Sequence, residues 1–125
     1  MTINSNDFIC FANDCMARKD EIGYRNAIAR SYYGVYHHVR GMLKNGPKEN
    51  HQGLINYLDT ESWKGNEEYE KNSLRGLSIM LQMMKDKRVV ADYSLKTTVT
   101  IVDAEESLKT AGRVMAKCQA MSKIA

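Results

Sequence analysis

Arg25-Asn26-Ala27-Ile28-Ala29-Arg30-Ser31-Tyr32-Tyr33-Gly34-Val35-Tyr36-His37-His38-Val39-Arg40-Gly41-Met42-Leu43 reads as one long helix with two unlike faces. At 100° per residue, Ile28, Tyr32, Val35, Val39, Met42 and Leu43 fall in one apolar sector, the stripe that buries a helix against its neighbours. Asn26, Arg30, Tyr33, Gly34, His37, Gly41 and Lys44 share the opposite sector, where a cation, an imidazole, a phenol and two glycines stand together. Arg30 and His37 differ by about 20° in direction and lie roughly 10 Å apart along the axis, so they point the same way. Gly34 and Gly41 each cost a helix interior about 1 kcal/mol relative to alanine, which predicts that another element approaches closely on that face. A twofold mate crossing there would bring two Arg30/His37 pairs together. The ordinary alternative is a solvated face with tolerated glycines.

Outward from this helix, the chain reads as further helices. Asn4, Ser5 and Asn6 can cap a first helix to about Lys19, with Phe8, Ala12 and Cys15 on one face. Gly23 breaks the pattern before the central helix, which is expected from near Ile22 to Lys44 and stopped by Asn45-Gly46-Pro47. Asn50 can cap a short third helix carrying Leu54, Ile55, Tyr57 and Leu58, with His51 in its first turn as a capping or surface residue or, alternatively, a ligand contact. Asp59 to Asn66 reads as a loop whose Trp63 folds back onto the bundle. Leu74, Leu77, Met80, Leu81 and Met84 mark a fourth helix from about Glu67 to Lys87, followed by an extended connector, Val89 to Ser94. A fifth helix starts near Thr100 with Ile101, Ala104, Leu108, Ala111, Met115 and Cys118 in steps of three and four. The fold class is therefore all-α, an up-and-down bundle of about five helices forming a single domain over residues 1–125. Its expected core includes Ile28, Val35, Leu77, Leu81, Leu108 and Met115.

Composition bounds the function. With 125 residues and 43% hydrophobic content the chain can bury one core without staples, and no apolar run reaches the roughly 20 residues of a membrane span. Cys10, Cys15 and Cys118 have neither C-x-x-C spacing nor an even count, and no secretory leader is legible, so free thiols in a cytoplasmic protein are expected. The cysteines read as small core residues. Three histidines and three scattered cysteines form no recognisable metal-ligand spacing, and no cofactor motif is present. A net charge of +3 does not by itself announce nucleic-acid binding.

Three short stretches, Ala29-Arg30-Ser31-Tyr32-Tyr33-Gly34-Val35-Tyr36-His37, His51-Gln52-Gly53 and Arg88-Val89-Val90-Ala91-Asp92-Tyr93, occur in an order and spacing that resembles the HEPN domains, in particular the small stand-alone bacterial members. The first is similar to that family's R-A-Y-Y-x-x-F-H type of helix, and the resemblance covers about Ile22 to Met115. It implies a helical bundle, frequent homodimerisation and, in many members, metal-independent RNA cleavage by an Arg, a polar residue and a following His. Arg30-Ser31 with His37 fits that motif with six intervening residues.

Two functions of different class follow. The first is an RNA endonuclease of toxin or phage-defence type, with Arg30 and His37 catalytic, Ser31 and Tyr33 supporting, and Gly34 and Gly41 in a homodimer contact that completes the site. RNA supplies its own 2′-hydroxyl as nucleophile, so DNA should be inert. The alternative is a non-catalytic module that binds a nucleotide or a partner, such as a cognate antitoxin or a nucleotidyltransferase. A structural role for Arg30, paired with Asp92 inside the monomer, stays open at this point.

Overall fold

The computed structural model describes residues 2–124. The chain forms helices α1 (Ser5–Met16), α2 (Glu21–Met42), α3 (His51–Thr60), α4 (Lys71–Tyr93) and α5 (Ile101–Ala120), with a wide helical turn at Ser62–Asn66 between α3 and α4. No strand occurs among the described residues; Tyr69 and Lys123 form a single bridge. The fold is the all-α bundle expected.

The helix starts follow their caps. Asn4 and Asp7 form a reciprocal capping box, Asp20 accepts from the Gly23 amide at 2.9 Å, Asn50 from Gly53 at 2.7 Å, and Thr100 pairs reciprocally with Asp103. The ends differ from expectation. α1 stops at Met16, three residues early, and Lys19 turns the chain with a left-handed φ of 55°. Gly23 does not break the chain but sits in the first turn of α2, where a Cβ would lie 2.5 Å from the Cys15 carbonyl oxygen. Its bare backbone lets the end of α1 fold down on α2.

α2 is the central helix, with α1, α4 and α5 packed around it and α3 held against α4. Tyr32, Val35 and Val39 from α2 meet Leu54 and Leu58, Leu74, Leu77 and Leu81, and Val114 in the main core. A smaller cluster of Cys15, Ala27, Ile28, Ala91, Val99 and Ala104 closes the other end. Ile28, Val35, Leu77 and Leu81 are buried as expected; Leu108 and Met115 are only half-buried. The stripe that α5 buries is Ala104, Ser107, Ala111, Val114 and Cys118, mostly small side chains that let it approach α2 closely. Burial pushes the Cys118 thiol up to about 11, whereas Cys10 is exposed and is no core residue.

The largest departure lies at residues 89–93, which continue α4 as helix up to its C-cap Ser94 instead of forming a connector. The reason is Arg25, a residue of α2 that is only 6% exposed. Its guanidinium donates to the carbonyls of Val90 (3.3 Å), Ala91 (2.9 Å), Ser94 (3.2 Å) and Thr97, while Nε donates to Glu21 at 2.9 Å. These include carbonyls of the last helical turn, which have no partner within the helix. At the opposite end, buried Glu67 accepts from the amides of Lys44 (2.8 Å) and Asn45 (2.9 Å) and from the Tyr57 hydroxyl. Trp63 folds back as expected, donating to the Asp59 carbonyl at 2.7 Å. No helix among the described residues is long and apolar enough to cross a membrane.

Candidate functional site

The residues singled out on α2 separate once the bundle is assembled. Gly34 is buried, and a Cβ there would lie 2.6 Å from Ile9 Cδ1 and 3.0 Å from the Ser5 carbonyl oxygen. The close approach predicted at this glycine is made by α1 of the same chain, so Gly34 is not available to a twofold mate. Gly41 is exposed with nothing within 4 Å of such a Cβ. Ser31, expected as a supporting residue of the site, is fully buried and donates to the Ile28 carbonyl at 2.9 Å, so its side chain does not reach the surface beside Arg30 and His37. Asp92 lies 3.5 Å from Arg88, one turn back on α4, and not against Arg30, so the Arg30–Asp92 pairing does not form.

Arg30 instead rests its guanidinium against the Tyr33 ring at 5.0 Å. Tyr33 neighbours Phe8 of α1 at 6.5 Å, and Phe8 neighbours His37 at 5.1 Å, so a series of aromatic contacts runs from Arg30 by way of Tyr33 and Phe8 to His37. No hydrogen bond joins the two residues. The cation that acts on His37 is Arg40, next to it on α2. His37 and Arg40 share a shallow depression of 320 Å³ with Ile3, Asn4, Ser5 and Phe8. Burial first, and the Arg40 charge second, hold the His37 imidazole below its ordinary value of 6.5, favouring the neutral ring. Neither of its ring nitrogens has a hydrogen-bond partner among the described residues.

The structure brings together His51 and Arg88, the first residues of the other two stretches that carry the resemblance. His51, at the start of α3, stacks on Tyr36 with ring centroids 3.8 Å apart, while Tyr36 meets His37 edge-on at 5.3 Å. The two imidazoles thus flank one ring. His51 Nδ1 is 2.7 Å from the hydroxyl of Tyr32, a side chain with no solvent exposure whose phenol burial holds well above its usual range. Burial, then Arg88, His37, Lys85 and Arg40 in turn, push His51 below 6.5. The Arg88 guanidinium lies 5.8 Å from the Tyr32 ring and 5.6 Å from Tyr33. Its side chain is 12% exposed, and its buried Nε has no hydrogen-bond partner. One feature of the sequence could have pointed here: Tyr32 and Tyr36 put two hydroxyls on the buried side of a helix, and a buried phenol needs a polar partner.

Arg40 also borders a second depression of 380 Å³, lined by Gly41, Lys44, Asn45, Lys48 and Glu49 among others. Cations thus run from the His37 depression around the end of α2. Among the described residues no three His, Cys, Asp or Glu side chains converge as metal ligands would. Compared with protein-family models, curated proteins and solved structures, the chain finds no match.

Proposed function

We propose that this protein is a metal-independent RNA endonuclease of the HEPN type that its motifs resemble, with His37 as general base. The observation that supports this best is the pair of imidazoles flanking Tyr36, both pushed toward the neutral form by burial and by surrounding cations, with no carboxylate hydrogen-bonded to either. A neutral imidazole is what proton abstraction near pH 7 requires. His37 would take the proton of an RNA 2′-hydroxyl as that oxygen bonds to phosphorus; the bond to the 5′ oxygen breaks, and that oxygen takes a proton from solvent. Arg40 supplies the charge beside His37 that Arg30 was expected to supply, and Arg30 on Tyr33 would hold a neighbouring phosphate or base. Lys48 extends the cationic edge along which a single strand can lie, whereas the Lys44 ammonium is paired with Glu68.

Because solvent protonates the leaving oxygen, the chemistry written here does not depend on a mate. The homodimer that the resemblance implies would use the open Gly41 end of the helix, because α1 occupies Gly34. The separation of Arg30 from His37 favours the second reading, a module that binds RNA or a nucleotide-handling partner without cutting. The deciding experiment is incubation of the highly purified protein with labelled single-stranded RNA in excess chelator. Products ending in a 2′,3′-cyclic phosphate and a 5′-hydroxyl are expected, DNA should stay intact, and His37→Ala should slow cleavage by about 10² to 10⁴. Equal degradation by wild type and His37→Ala would leave the binding module as the surviving reading.

A further inference from the structure

His51 and Arg88 meet the same two rings, Tyr32 and Tyr33, and the chemistry of that junction fixes what His51 can do. Its ring centroid is 5.4 Å from Tyr32 and 5.8 Å from Tyr33, and Arg88 lies 5.8 and 5.6 Å from those rings. The Tyr32 hydroxyl is completely enclosed, and its one hydrogen-bond partner is His51 Nδ1. If Nδ1 carried the proton and donated to the phenol oxygen, the phenol's own O–H would be buried without an acceptor, at the full cost of desolvating it. The satisfied arrangement has the Tyr32 hydroxyl donating to a bare Nδ1. A neutral imidazole then carries its proton on Nε2. That nitrogen has no protein partner, yet it is not among the enclosed unpartnered atoms, so it reaches the surface as a donor.

Such a ring is a poor base, because its one lone pair is already occupied by Tyr32. It is a fixed N–H donor surrounded by positive charge. Arg88 adds a nearly enclosed guanidinium whose Nε is unsatisfied and whose only carboxylate, Asp92, stands at 3.5 Å. Lys85, held by Gln52 at 2.7 Å, adds a third cation that His51 feels. Donors and positive charge that exceed the one carboxylate beside them, Asp92 on Arg88, suit an anion with several oxygens.

We propose that His51 Nε2–H and Arg88 form a phosphodiester-holding half-site, with Tyr32 as the positioning residue that locks His51 in the Nε2–H form. This rests on the RNA reading above for the identity of the anion, and it divides the two histidines by role: His37 takes a proton, His51 gives a hydrogen bond. His51 therefore contributes to RNA affinity and to holding the phosphate, and not to proton abstraction.

The test is nitrogen-15 NMR of the histidine rings in the full-length protein, alone and with a short single-stranded oligodeoxynucleotide. That probe has the phosphodiester but no 2′-hydroxyl, so it binds without being cut. His51 is expected to show a single tautomer with the proton on Nε2, and Tyr32→Phe, if its melting curve shows it folded, should give a tautomer mixture. The Nε2–H resonance should shift when the oligonucleotide is added. Loss of one charge-assisted hydrogen bond corresponds to about 10- to 100-fold in affinity, expected for His51→Ala. His51→Gln keeps a neutral N–H donor and should retain most of the binding, which a base or a purely structural ring would not predict. A proton on Nδ1, or an unshifted Nε2–H at saturating oligonucleotide, overturns the proposal. A shifted Nε2–H together with intact RNA in the cleavage assay upholds the half-site while removing the nuclease reading.

Discussion

Arg25→Met removes a guanidinium while keeping an unbranched stem of similar length, and so isolates what the hydrogen bonds of Arg25 contribute. The ion pair with Glu21 is the minor part: the glutamate side chain is 44% exposed, and an exposed pair is worth about 0 to 1 kcal/mol. The carbonyls matter more. The Val90 oxygen keeps its bond from the Ser94 amide, but the Ala91 oxygen lies in a fully buried contact and loses its donor. One such orphaned acceptor costs about 1 to 3 kcal/mol, and the part-buried bonds to Ser94 and Thr97, which water can partly replace, add about 0.5 to 1.5 kcal/mol each. These contributions sum to about 2 to 7 kcal/mol, and the middle of that range, about 3 to 5 kcal/mol, matches the cost of breaking other buried charged networks. For a chain of this length that is a fall in Tm of about 10 to 20 °C, read by thermal and urea unfolding. Hydrogen exchange should accelerate first around residues 88–97, where α4 loses its cap. Arg25→Lys should recover only part of the loss, since one ammonium cannot span four carbonyls in the fork geometry of arginine. A loss below about 1 kcal/mol in Arg25→Met, or full stability in Arg25→Lys, would refute this account of the α4 terminus.

Three further outcomes follow from the packing. Gly34→Leu should lower stability at every protein concentration by more than the about 1 to 3 kcal/mol of ordinary overpacking, because the Ser5 backbone cannot yield; an unchanged Tm with a reduced mass in sedimentation would instead put Gly34 between subunits. Leu77→Ala should cost about 2 to 5 kcal/mol in chemical denaturation, whereas half-buried Leu108→Ala should cost clearly less, and equal losses would reverse the assignment of the α5 stripe. Both His37 and His51 have folded values below 6.5, so the unfolded chain binds protons first as the pH falls; stability should be full above 6.5 and decline below it, before the carboxylates titrate. A Tm that holds steady from pH 7 to 5.5 would contradict those environments, and His37→Gln combined with His51→Gln should flatten the slope.

Reading along the chain reached the elements but not every partner. The capping residues Asn4 and Asn50, the start of the last helix near Thr100 and the apolar stripe of α2 are local facts, decided within one or two turns, and each appears in the structure as expected. Gly34 shows the limit: its spacing announced a close neighbour, yet nothing local distinguishes a helix of the same chain from one of a mate. Arg30 and His37 share a direction on α2, but Arg30 rests on Tyr33 while the ring beside His37, Phe8, belongs to α1. Arg25 is more opaque still. Its partners are backbone carbonyls 65 to 72 residues away, and since every residue carries a carbonyl, no residue type marks where such a cap will fall. The same reasoning explains the turn from connector to helix at residues 89–93: Val89 and Val90 are weak helix formers, and the segment is helical because tertiary hydrogen bonds outweigh that preference. His51 lies between these cases. Its type was visible, but its role is set by the Tyr32 hydroxyl, and a phenol inside an apolar stripe is the one mark in the sequence that asks for a polar partner from another helix.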